Sequence, residues 1–158
     1  MKKLTCIALC LILLCSMAAC NSADKSVLAG TEWDMTRAEV VEKIGDEKVQ
    51  EGSTENVLNW MLTKDLADVF GDRTVSVAFV FTEDKMSSIT VQIFTNEGES
   101  VEDGMKATRA AMEKVYGAAS GEEEAHWHGE KSAIALRSVK GTSTFFVAVF
   151  TPISAHSH

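Results

Sequence analysis

Glu122, Glu124, His126 and His128 set possible metal donors two residues apart. In an extended strand, residues of one parity project to one face, so Glu124, His126 and His128 could together hold zinc or copper. Such an ion needs a further donor from elsewhere, and the remaining imidazoles of the chain are His156 and His158, near its C-terminal end. A solvated polar strand face behind a core-facing Trp127 accounts for the same residues. Asp65, Asp68 and Asp72 lack the alternating ligands and sixth-position glycine of an EF-hand loop and read as an acidic surface segment. There is no G-x-S-x-G, no H-E-x-x-H and no phosphate-cradling glycine loop. No catalytic residue is assigned, and a non-enzymatic protein is expected.

Cys20 carries the most specific chemistry. Lys2 and Lys3 form a positive start, Leu4 to Met17 is apolar, and Met17-Ala18-Ala19-Cys20 closes the run like a lipoprotein signal, with Met17 where leucine is usual. An apolar run of about 14 residues falls short of the roughly 18 to 20 that span a bilayer, which favours cleavage before Cys20. Cys6, Cys10 and Cys15 then leave with the signal, and acylated Cys20 leaves no free thiol and no disulfide. The expected prosthetic group is therefore the covalent lipid alone, a diacylglyceryl and a fatty acid such as palmitate. Several acyl chains on one cysteine hold a protein stably, whereas one binds marginally. By resemblance to enterobacterial lipoprotein sorting, Asn21, which is not aspartate, implies the outer membrane of a host that has one, and otherwise an outward-facing anchor in the cell envelope.

Removing Lys2 and Lys3 from the 15 basic residues leaves 13 against 23 acidic ones, a formal charge of −10. Phosphate backbones and anionic headgroups repel such a surface, which excludes nucleic-acid binding and electrostatic membrane docking and leaves tethering to the lipid. The expected partners are the membrane, through the anchor, and another envelope protein.

The expected organisation is a signal peptide over residues 1–19, lipidated Cys20 and a flexible spacer over 20–30, one α+β domain over 31–152 and a mobile tail over 153–158. Thr36, Glu39, Met35 and Val40 form a capping box with a hydrophobic staple, so a helix starts at Arg37 and stops at Gly45. Strands follow over Asn56 to Thr63, where Leu58, Trp60 and Leu62 share a face, over Thr74 to Thr82 and over Ser88 to Thr95. Lys64 to Arg73 reads as a loop or helical turn, and Glu83-Asp84-Lys85 as a tight hairpin connection. A second helix is capped by Ser100, with Val101, Met105, Thr108, Met112 and Val115 on one face, and stops at Gly117. Three more strands are expected over Glu123 to His128, Ser132 to Val139 and Ser143 to Thr151, the last ended by Pro152. The predicted fold is two helices packed on an antiparallel sheet in the order αβββ-αβββ, a possible tandem repeat.

Trp33, Met35, Thr36, Glu39, Val40 and Gly45 form W-x-M-[ST]-x-x-E-V-x-x-x-x-G, and Val77 to Ile89 reads V-x-F-x-F-x-x-x-K-M-x-x-I. In these the chain resembles the BamE (SmpA/OmlA) small-lipoprotein superfamily, and its doubled layout is similar to the beta-lactamase-inhibitor-protein-like fold. The resemblance implies a protein-binding domain: BamE-type members support outer-membrane barrel assembly, and inhibitor-type members plug enzyme active sites. It carries over no individual functional residue, because the matching positions are caps and core.

Overall fold

Thr36 begins the first helix by reciprocal capping. In the computed structural model, which describes residues 27–50 and 54–153 without the side chains of residues 61 and 62, helix α1 spans Arg37–Ile44. The Glu39 N–H donates to Thr36 Oγ1 at 3.4 Å, and Glu39 Oε2 accepts from the Thr36 N–H at 2.8 Å. A cap of this kind contributes about 1 kcal/mol. Val40 and Ile44, one turn apart, are buried, and Gly45 ends the helix at φ 92°.

A 3-10 turn, Asp46–Lys48, leads to strand β1, Val57–Thr63. Leu58 and Trp60 are buried as expected, while the Leu62 side chain lies outside the described residues. The next segment holds a third helix, the single turn α2 at Ala67–Phe70, which adds to the two expected from sequence. Too short to be stable alone, it is held by Leu66 and Phe70, four residues apart and both buried.

Strands β2, Val75–Thr82, and β3, Lys85–Phe94, form a hairpin. Its turn is the pair Glu83-Asp84, at φ 52° and 61°, so β3 starts at Lys85 and not at Ser88 as expected. Two left-handed residues match the twist of the flanking strands. Val80 pairs with Ser88 but Phe81 with Met86, and the extra residue, Ser87, rephases the strand so that Met86 and Ile89 both face the core.

Helix α3, Val101–Tyr116, is capped by Ser100 Oγ, which accepts from the Asp103 N–H at 3.1 Å. The residues it buries are Gly104, Thr108 and Met112, a ridge at intervals of four. Val101, Met105 and Val115, expected on the inner stripe, are only half-buried. Gly104 explains the shift. A Cβ there would stand 3.0 Å from the Phe146 ring, so its absence lets the helix settle onto the sheet.

Strands β4, Ala125–His128, β5, Ser132–Ser138, and β6, Phe145–Pro152, complete one six-stranded sheet ordered β1-β2-β3-β6-β5-β4, with every pairing antiparallel. The fold is α+β, three helices with an antiparallel sheet. The core lies on one face of that sheet, with Phe79, Ile89, Phe146 and Phe150 among its fully buried side chains. Both outer strands carry a short extra pairing, Val49 with Trp60 on β1 and Ser120 with His126 on β4, which blunts the edges.

The spacer expected over residues 20–30 is corrected at its end, since Val27 and Leu28 are buried at 8% and 2% exposure. The segment from Val27 to Met35 is a strap across the end of the sheet. Tyr116 Oη donates to Val27 O at 3.3 Å, the Trp33 indole N–H donates to Ser132 Oγ at 2.8 Å, and Met35 O accepts from the Met86 N–H at 2.9 Å. Apolar Val27 and Leu28 enter the core because burial outweighs the entropy of ordering so short a segment. At the other end, Ile153 still donates its N–H to Lys131 O at 2.8 Å, so order extends one residue past the expected limit. Cys20 and the signal lie outside the described residues, as do His156 and His158.

Candidate functional site

The histidine strand does not assemble a metal cage from its own residues. His126 faces away from the core opposite Ala135, with Nε2 3.7 Å from Glu124 Oε2, and His128 lies exposed opposite Ala133. Alternation breaks before Ala125, where β4 begins, because Gly121 at φ 83° turns the chain so that Ser120 pairs back onto His126. A side chain at Gly121 would collide with the Glu124 carbonyl oxygen. Glu122, expected beside the histidines, instead lines a groove on the helix side. Among the described residues no group of three or more His, Cys, Asp or Glu side chains converges as a cation site.

The other acidic candidates are engaged in structure. Asp65 and Asp72 pair with Lys48 and Lys64 at 2.9 and 3.0 Å, and the Lys48 ammonium lowers the pKa of the Asp65 carboxyl. Sequence reading missed the pair between Arg73 and Glu99, which joins the start of β2 to the loop before α3. Arg73 is 4% exposed and grips both Glu99 oxygens, at 2.5 and 2.7 Å, with its guanidinium over the Phe146 ring. The Arg73 hydrogen bonds hold the Glu99 carboxyl down to about 2 against the opposing effect of burial. Arg109 is similarly committed to Glu113 and to the carbonyls of Ala119 and Gly121. These contacts are structural.

The sheet's second face is different. Its register sets Asn59, Ala78, Thr90, Val149, Ala135 and His126 in one row across all six strands. A neighbouring row reads Ser76, Gln92, Val147 and Arg137. No helix of the described residues covers these positions, and all are partly or fully exposed. None of the 23 Asp and Glu residues of the chain falls within a described strand, and the only Lys or Arg there are Lys85 and Arg137. A sheet face open to water ordinarily presents polar side chains. This one carries small side chains, no carboxylate and, in these rows, the single charge of Arg137.

Toward β4 the face holds a depression of about 170 Å³. Ala133 and Ala135 leave it room, and His126, His128, Arg137, Val149 and Thr151 line its sides. Among the described residues no carboxylate pairs with Arg137, whose side chain is exposed. The one signal for this face in the sequence is six strand segments free of Asp and Glu.

The groove that holds Glu122 runs between α3 and the β4–β5 end of the sheet and encloses about 660 Å³. Val101, Met105 and Leu136 form its apolar part, and Lys106 with Glu102 and Glu123 mixes both charges at its rim. Trp60 and Trp127 are buried and offer no contact surface, while Trp33 is half-buried in the strap. No helix among the described residues is long and apolar enough to cross a membrane. No protein-family model, curated protein or solved structure matches the chain.

Proposed function

We propose that this protein is a lipid-anchored envelope lipoprotein, acylated at Cys20, whose domain is a non-enzymatic module for binding or assembling another envelope protein. The observation that carries the reading is the open sheet face, carboxylate-free in a chain of formal charge −8. Charged residues are depleted at the cores of protein interfaces, as they are on this face apart from Arg137. The resemblance to BamE-type and inhibitor-type lipoproteins points the same way, as does the chain's tandem layout. α1 with β1, β2 and β3 forms one αβββ half, α3 with β4, β5 and β6 the other, and α2 is an insertion in the first. The pairing of β3 with β6 at the centre of the sheet supports this duplication.

The test uses full-length protein in its native envelope, with a photo-crosslinking amino acid at Thr90 or Val149 on the open face, or at Lys43 or Lys114 on the helix side. A discrete adduct from the face positions alone, together with an acylated N-terminal Cys20 peptide in mass spectrometry, is the expected result. Adducts only from Lys43 and Lys114, or an unmodified N-terminus, overturn it. The alternative, a metal- or small-ligand-binding lipoprotein using the His126/His128 strand with Glu124, has the neighbouring Glu124 and His126 in its favour and lacks a third converging metal donor among the described residues.

A further inference from the structure

We infer that the open face receives a protein partner through an acidic side chain, an Asp or Glu of the partner seated in the depression between Arg137 and His126. This deepens the protein-binding reading and rests on it. Three observations bear on the occupant.

The first is charge. Arg137 is the one formal cation within the exposed rows, and no carboxylate of the described residues neutralises it. With every Asp and Glu kept off the described strands, a carboxylate approaching this face meets a guanidinium that no described carboxylate pairs with, and the like charge beside the seat is Glu124, just before β4, 3.7 Å from His126 Nε2. Charge-assisted bonds to a guanidinium fork are among the stronger polar contacts, and partial exclusion of water on docking strengthens them.

The second is shape. Ala133 and Ala135 sit where larger residues would level the surface, and the resulting space of about 170 Å³ has the scale of one side chain. Arg137 and His126 border it from neighbouring rows, with Ala135 next to both, and Val149 closes it across β5 from His126. The pocket therefore offers apolar contact to the methylenes of an entering side chain and a cation to its end.

The third is size and polarity, which argue against a second copy of this chain as occupant. Six strands about 4.8 Å apart and roughly six residues tall give a face of about 25 by 20 Å, near 500 Å² before side-chain relief. That matches one side of a small, non-obligate interface, whereas obligate homodimers bury more and are more apolar. The centre of the face is polar, with Ser88, Thr90 and Gln92 on β3.

The experiment keeps the photo-crosslinking residue at Thr90, outside the depression, and measures adduct yield in the native envelope for three variants. Arg137→Glu is expected to lower the yield about tenfold or more by setting like charges face to face, and Arg137→Lys to stay within about threefold. Ala135→Met, which fills the depression without touching the core, is expected to lower the yield by a similar factor. The peptide crosslinked from the partner should lie beside an Asp or Glu, and reversing that residue to Arg should restore the yield with Arg137→Glu. An undiminished yield in Arg137→Glu or Ala135→Met overturns the inference while leaving the face as a docking surface. An adduct of twice the chain's own mass replaces the foreign partner with a second copy. No adduct from any position removes the protein-binding reading and this inference together.

Discussion

The two faces of the sheet are built from alternate residues of the same six strands, and they have been filled by opposite rules. On the inner face, Phe79, Ile89, Phe146 and Phe150 are fully buried, and Phe150 meets the rings of Phe70 and Tyr116 edge-on. On the outer face, Ala78, Thr90, Ala135 and Val149 remain partly exposed, without helix cover and without a carboxylate. Large side chains on one side supply the burial that makes the fold stable. Small ones on the other, with few charges, leave a surface that a second protein could approach without dehydrating many charges. Stability and the proposed recognition would thus be separated by a single residue step along each strand.

Substitutions that hit one face alone test that separation. The largest effect is expected from Phe150→Ala, which opens a cavity where two other rings meet and should cost about 3 to 5 kcal/mol in equilibrium urea unfolding. A cost below 1 kcal/mol would mean that the inner face does not carry the fold.

Glu99→Gln comes next, because it leaves the buried guanidinium of Arg73 without its counter-charge. With Glu99 itself 20% exposed, the loss should fall near the lower end of the range for broken buried pairs, about 3 kcal/mol at pH 7. The pair also predicts a pH signature. The Glu99 carboxyl titrates at about 2 in the folded protein against 4.5 when unfolded, so between these values the unfolded chain binds the extra proton. The stabilisation is complete above pH 4.5 and disappears as the pH falls toward 2. Unfolding curves across that window should show a steeper slope in the parent protein than in Glu99→Gln.

Gly104→Ala separates helix propensity from packing. Alanine favours an isolated helix by about 1 kcal/mol, yet its Cβ would press on Phe146 at 3.0 Å and on Glu99 at 3.3 Å. A net loss of about 1 to 2 kcal/mol by thermal or urea unfolding is expected; a gain would show that α3 can lift off the sheet freely. The smallest effect belongs to the outer face. Thr90→Lys should change stability by no more than about 0.5 kcal/mol while abolishing the contact that crosslinking from Val149 reports.

Much of the fold was legible because its signals are local. Thr36 with Glu39 and Ser100 with Asp103 announce helix starts, and the alternation of Val75, Val77, Phe79 and Phe81 announces a strand with one buried side. What stayed open or escaped were features set by distant contacts. Between loop and helical turn, the segment after β1 becomes α2 because Leu66 and Phe70 find the core, not because four residues favour a helix. Arg73 and Glu99 stand 26 residues apart, and no local pattern pairs them. Period-two reading grouped Glu122 with the histidines and began the strand at Glu123, whereas the left-handed turn at Gly121 delays it to Ala125 and sends Glu122 to the other side. The depression depends on the register of β4, β5 and β6, which sequence alone leaves open, although the missing carboxylates were visible in every strand.

Under the proposed acylation of Cys20, the strap that buries Val27 and Leu28 would also fix the length of the mooring line. Only six residues separate Cys20 from Val27, and even pulled taut the chain between them would reach about 25 Å. A domain so anchored would sit low over the bilayer. Its proposed partner would therefore have to come to the membrane surface to be met. Lengthening the line by a dozen flexible residues would leave the domain's own architecture untouched and change how far out it can fish.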